Sequence, residues 1–139
     1  DFTVGGPRGD NGLSGKKLVV DHYGPTVPIG GGALAGKDPH KVDKCGPLRA
    51  RQLAKMLVRA GADTADVTLS WAPGADAPPS VVAVTTRGGV RLQTPDEELP
   101  PAEWFGIARI VADLELLHVD WGERVLDGYF RDPASSWER

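Results

Sequence analysis

The chain is predicted to adopt an α+β fold, a small mixed or antiparallel sheet with helices packed on one face, on three observations. Its elements follow the order β, α, β, β, α. An alternation of period two marks Val67 to Trp71, and a valine- and threonine-rich β run from Ser80 to Thr86 leads through a Gly88-Gly89 hairpin signal into Val90-Arg91-Leu92. Apolar residues recur at helical spacing over 47–60 and 104–111. A length of 139 residues suits one domain with a modest core, and no repeat, low-complexity tract or linker divides residues 1–139.

In order, Phe2-Thr3-Val4 is a short extended entry that runs into a glycine turn signal, and Lys17 to Tyr23 is the first strand. Gly24 to Asp38 is a long glycine- and proline-bearing loop, a length that in a compact domain is usually functional or mobile. Asp38 can cap a helix with Pro39 at its first position, and Gly46-Pro47 then interrupts. The helix is expected to resume near Pro47 and run to Ala60. Leu53, Met56, Leu57 and Ala60 share one face, Arg51, Lys55 and Arg59 another, and Gly61 is the stop. Val67, Leu69 and Trp71 point to one side of a half-buried strand that Pro73-Gly74 closes. After the Pro78-Pro79 break and the hairpin, Pro100-Pro101 opens a helix carrying Trp104, Ile107, Ala108 and Val111, with its end expected between Leu114 and Leu117. One helical turn over Glu123 to Leu126 precedes an aromatic tail of Tyr129, Phe130 and Trp137.

A formal net charge of −3 argues against nucleic acid as a partner, because a sequence-independent binder needs a basic face to release counterions. The single cysteine, Cys45, excludes a disulfide framework within the chain and suits a reducing cytoplasm. No apolar run reaches the roughly 18 residues needed to span a bilayer, and no signal-peptide pattern is visible. The expectation is a cytoplasmic protein with no membrane partner. Charge is distributed unevenly: Lys16, Lys17, Lys37, Lys41 and Lys44 crowd the first third, and acids dominate the last.

All of those lysines but Lys44 sit in two glycine-dense stretches, Gly5-Gly6-Pro7-Arg8-Gly9-Asp10-Asn11-Gly12-Leu13-Ser14-Gly15-Lys16-Lys17 and Gly30-Gly31-Gly32-Ala33-Leu34-Ala35-Gly36-Lys37-Asp38-Pro39-His40-Lys41-Val42-Asp43, and Lys44 follows directly. Glycines let backbone amides approach an anion, a following helix start adds the positive end of its dipole, and lysine adds point charge. This is phosphate-handling chemistry, and it makes residues 1–44 candidate nucleotide- and phosphate-binding loops on an α/β body formed by 45–139. His22, His40 and His118 are dispersed, and none reads as a ligand or a general base. Cys45 reads as a helix-start residue, since no orienting histidine pair accompanies it.

Over Gly5 to Gly24 and Gly30 to Lys44 the chain resembles the S-adenosylmethionine synthetase (methionine adenosyltransferase) family nearly word for word. Fainter likenesses follow at Ser70-Trp71-Ala72-Pro73-Gly74, Gly128-Tyr129-Phe130 and Ser136-Trp137-Glu138. The resemblance implies the α+β repeat unit of that family. It also implies ATP and methionine, or S-adenosylmethionine, as ligands, with Mg²⁺ and K⁺ as cofactors. Lys17 and Lys37 would act on the ATP polyphosphate as catalytic lysines, with Phe2 stacking on adenine and Asp10, Lys16 and Ala33 also contacting the nucleotide. Asp10 and Lys41 would meet methionine, and Asp43 would face magnesium. From composition alone, Asp10 reads as a solvated turn aspartate and Phe2 as a core-edge aromatic.

The resemblance places this chain in the C-terminal third of the family enzyme, with the catalytic histidine and most metal-binding acids on segments it does not contain. Catalysis is therefore expected to need a complementary chain, and a homo-oligomer is the other expected partnership. A non-catalytic nucleotide- or S-adenosylmethionine-binding or regulatory subunit, and a purely structural oligomer, stand as alternatives. Several residues depart from the family pattern. Lys16 replaces arginine, Ile29 replaces histidine, Leu34-Ala35 replaces Phe-Ser, and Cys45-Gly46-Pro47 replaces Ser-Ala-Ala.

Overall fold

The computed structural model describes residues 4, 8, 34 and 36–139, apart from the side chains of Val125 and Asp127. The strand expected over Lys17 to Tyr23 and most of both glycine stretches lie outside the described residues. From residue 36 onward, an 18-residue helix, α1 (Val42–Arg59), precedes a sheet of β1 (Thr64–Ser70), β2 (Ser80–Arg87) and β3 (Val90–Gln93). Two short helices follow, α2 (Ile107–Asp113) and α3 (Trp121–Asp127), with single 3-10 turns at Asp96–Glu98, Ala102–Phe105 and Ser136–Glu138.

α1 starts later than the Asp38-Pro39 signal suggests. The Asp38 carboxylate is taken by a local turn, accepting from the His40 amide at 2.8 Å, while its carbonyl accepts from the Lys41 amide at 3.0 Å. Lys41 is thus the N-cap, in extended backbone and with no side-chain cap of its own. Nor does Gly46-Pro47 break the helix. Pro47 lacks the amide that would meet the Asp43 carbonyl, a cost of one bond early in the helix. Burial of Cys45 and Leu48 in one core and of Leu53 and Leu57 in another offsets it. Gly46 is required for contact: a Cβ there would come 3.1 Å from the Trp71 ring. Met56 and Ala60, expected on the buried face, are exposed; of that expected face only Leu53 and Leu57 are buried. Gly61, at φ +101°, ends the helix as foreseen, with Gly61 N donating to Val58 O and Ala62 N to Leu57 O.

Among the described residues the sheet is antiparallel in the order β1-β2-β3, with Thr64 opposite Thr86, Ser70 opposite Ser80, and Val84 opposite Gln93. Gly88 and Gly89 both take positive φ, the requirement of a two-residue hairpin that follows strand twist. Ala65, Val67 and Leu69 of β1 and Val81 and Ala83 of β2 meet Leu53 and Leu57 of α1, with Phe105 closing the cluster.

The helix expected from Pro101 is split. Gly106 is extended (φ −62°, ψ 137°), and the Ile107 amide donates to Asp76 O at 2.8 Å. The loop after β1 therefore fixes where α2 can begin, and a continuous helix would forfeit that bond. α2 ends with Glu115 at φ 52°, a left-handed conformation unusual outside glycine. α3 begins at Asp120, whose Oδ1 accepts from the Gly122 and Glu123 amides at 2.9 and 3.1 Å.

A second core lies between α1 and the C-terminal segment. Cys45, Leu48, Ile110, Leu114, Tyr129 and Trp137 are its centre, and Leu34 reaches into it. Trp137 stacks on Trp121 with ring centroids 5.9 Å apart and donates from Nε1 to Tyr129 O at 2.7 Å. Polar clamps tie these parts to α1. Arg49, 1% exposed, lies 3.9 Å over the Trp104 ring and bonds Asp113 at 2.8 Å. Arg51 Nε and Lys55 Nζ bond the buried Glu138 carboxylate at 2.8 and 2.6 Å. Burial alone would raise the Glu138 carboxyl, but the hydrogen bonds from Arg51 and Lys55 hold it below the usual range. No described helix is long and apolar enough to cross a membrane.

Candidate functional site

The second glycine stretch ends where α1 begins, and that junction gathers the described lysines and carboxylates singled out in the sequence. Gly36 sits at φ +74°, turning the chain so that Lys37 folds back over the first turn of the helix. There the Lys37 ammonium pairs with the Asp43 carboxylate, both partners retaining solvent access. Lys41 occupies the N-cap with an exposed side chain. Asp43, within the first turn, is favoured there by the helix dipole.

Lys44 anchors the turn from beneath. It is 1% exposed, donates from Nζ to Lys37 O at 2.8 Å, and places that ammonium 3.6 Å from the centroid of the Trp121 ring. Burial pushes its pKa below the ordinary lysine value, with the Asp38 charge pulling in the opposite direction. Asp38 is itself held below the usual carboxylate range, chiefly by the His40 amide. Three lysines against two carboxylates at an amide-rich helix start leave one net positive charge, an arrangement receptive to a polyanion.

Beside this turn lies a cavity of about 410 Å³ lined by Val42, Trp71, Pro73, Gly74, Asp76 and Ile107, among others. Val42 belongs to both features, so a charged end and an apolar hollow adjoin. The Trp71 indole nitrogen is buried and has no hydrogen-bond partner among the described residues.

Of the residues singled out in the sequence, Lys37 and Asp43 are brought into contact and Lys41 stands next to them. Phe2, Asp10, Lys16, Lys17 and Ala33 lie outside the described residues. Among the described residues no three His, Cys, Asp or Glu side chains gather as a metal-holding group. A lone carboxylate such as Asp43 nevertheless fits Mg²⁺, which commonly takes one or two protein carboxylates and completes its shell with phosphate oxygens and water. Cys45 is buried, and burial pushes its thiol up to about 11, which leaves it inert. The sequence reading missed Lys44 and Trp121 as parts of the junction. The available signal was that Lys44 precedes the buried Leu48 by four residues and so falls on the apolar stripe.

Comparison with known proteins identifies the family. The family model described as S-adenosylmethionine synthetase, C-terminal domain, matches residues 4–139. The chain is 39% identical over 143 aligned residues to the S-adenosylmethionine synthase of Wolinella succinogenes, covering 99% of this chain and 37% of that protein. It thus spans little more than a third of that relative's length. Among solved structures, an unusual S-adenosylmethionine synthetase from Campylobacter jejuni superposes with a TM-score of 0.69 at 27% identity, covering 89% of this chain and 34% of that one.

Proposed function

As the chain belongs to the S-adenosylmethionine synthetase C-terminal domain family, we propose that it serves methionine adenosyl transfer by holding the polyphosphate of ATP at the Lys37–Asp43 turn. The reaction is ATP, methionine and water giving S-adenosylmethionine, phosphate and diphosphate. The observation that carries this reading is the pairing itself. A cation suited to phosphate and a carboxylate suited to magnesium meet at a helix start, each exposed enough to exchange its partner.

In the reaction the methionine sulfur attacks C5′ of the ribose, the C5′–O bond breaks, and its electron pair leaves on the triphosphate. Water then divides the triphosphate. Lys37 stabilises the charge gathering on the departing oxygens, and the amides at the start of α1 add to that field. Lys41 orients methionine and phosphate. Asp43 would help hold Mg²⁺, which when bound would offset further polyphosphate charge. The cavity beside Val42 suits an uncharged part of the ligand, with the Trp71 indole nitrogen free to donate. Lys16, Lys17 and Ala33 complete the phosphate loops, Phe2 stacks on adenine, and Asp10 lies near the reacting carbon. K⁺ has no assigned residue in this chain. Residues 1–44 supply the loops and 45–139 the body of one domain, acting in the cytoplasm with a second copy or a complementary chain.

Calorimetry tests the reading. Triphosphate with Mg²⁺ should bind the parent, and Lys37→Ala should weaken it by about tenfold or more, the value of one charge-assisted contact. Equal affinity in the two proteins, or no binding to the parent at millimolar ligand, would contradict it.

A further inference from the structure

Lys37 is held by α1 at both of its ends. Its ammonium pairs with Asp43, and its carbonyl oxygen accepts from Lys44 Nζ at 2.8 Å. The two contacts differ in kind. The Asp43 pair is open to solvent, whereas Lys44 is buried and forms no ion pair among the described residues. A buried ammonium without a carboxylate beside it needs other electron-rich groups. The Trp121 ring supplies one, with Lys44 Nζ 3.6 Å from its centroid, a contact that gains where water is excluded. That ring is itself fixed. Its Nε1 donates to Leu116 O at 3.3 Å, and it stacks with 6° between planes on Trp137, whose own Nε1 is tied to Tyr129 O at 2.7 Å. A relay thus runs from the C-terminal aromatic core through Lys44 to the main chain of Lys37.

We propose that Trp121 is a positioning residue for the polyphosphate, a role that rests on Lys37 being the group that holds it. When ligand draws the Lys37 ammonium away from Asp43, the bond from Lys44 to Lys37 O stays in place. Only the side chain of Lys37 is then reordered on binding, and its main chain is not. Trp121 never meets the ligand. It acts through Lys44, and it does so by the charge of its ring face rather than by its shape alone.

Calorimetry with triphosphate and Mg²⁺ on the whole chain tests this, using tryptophans of increasing fluorine content incorporated at position 121 alone. Fluorine withdraws charge from the ring face and changes its size little. Affinity should fall stepwise, by about threefold from the parent to the tetrafluorinated ring. In the Lys44→Met background the same series should bind with one unchanged affinity, because the cation is gone. Trp121→Leu should lose about as much as Lys44→Met, and the two substitutions together no more than either alone. Affinity indifferent to fluorination, an equal fall in the Lys44→Met background, or losses that add would overturn the positioning role while leaving Lys37 with its ligand. No binding by the parent at millimolar triphosphate would overturn both.

Discussion

Both ends of α1 carry lysine or arginine against a carboxylate, and they are built to opposite specifications. At the N-terminal end Lys37 and Asp43 form one pair, with side chains 25% and 42% exposed. Toward the C-terminal end Glu138, 3% exposed, is held by Arg51 and Lys55 and by Arg59 through its main chain. A pair in contact with water is worth little to stability and exchanges readily, whereas a buried carboxylate with several donors is costly to disturb. The same chemistry therefore fixes the fold at one end and at the other leaves a solvent-accessible pair, the contact proposed for ligand.

The largest effect is expected at the buried end. Glu138→Ala leaves Arg51 and Lys55 without their shared carboxylate and should cost about 3 kcal/mol in urea unfolding. Asp43→Ala should cost less than about 1 kcal/mol by the same measurement. Equal losses would erase the contrast between the two ends. Acid should sharpen it. Glu138 titrates below its ordinary value of 4.5, so its contribution is complete above that pH and disappears as pH falls through the depressed folded value. The melting-temperature gap between the parent and Glu138→Gln should accordingly be constant above pH 4.5 and close below it.

A smaller effect links the two ends through the core. Lys44→Met keeps the length of the side chain but removes both the bond to Lys37 O and the charge over Trp121. Triphosphate affinity should fall several-fold, on the order of 1 kcal/mol, while urea stability changes by less than that, because a buried ammonium also carries a desolvation penalty. The smallest expected change is a gain. Glu115→Gly relieves the left-handed backbone at the end of α2 and should raise unfolding stability by about 0.5 kcal/mol.

The sheet was legible because its signals are local. Alternation in Val67 and Leu69 and the Gly88-Gly89 pair specify strands and a hairpin without reference to anything distant. The helix boundaries were less legible because tertiary bonds set them. Asp38 spends its carboxylate on His40, and the Ile107 amide is drawn to Asp76, 31 positions earlier in the chain. Trp71 explains Gly46 only once β1 is laid against α1. At the candidate site, Lys37 and Asp43 were singled out one by one by the resemblance, but their six-residue separation matches no helical repeat, so their contact required the Gly36 turn. The Glu138 clamp joins residues more than 80 positions apart and left no local trace.

The central claim is that the Lys37–Asp43 pair is an exchangeable contact that ligand takes apart. Titrating triphosphate into the parent and Asp43→Asn, with and without Mg²⁺, tests it most directly. Without Mg²⁺ the substitution frees Lys37 and should tighten binding; with Mg²⁺ it removes a metal ligand and should weaken binding, by several-fold in each direction. A change of the same sign in both conditions, or none in either, would contradict the account.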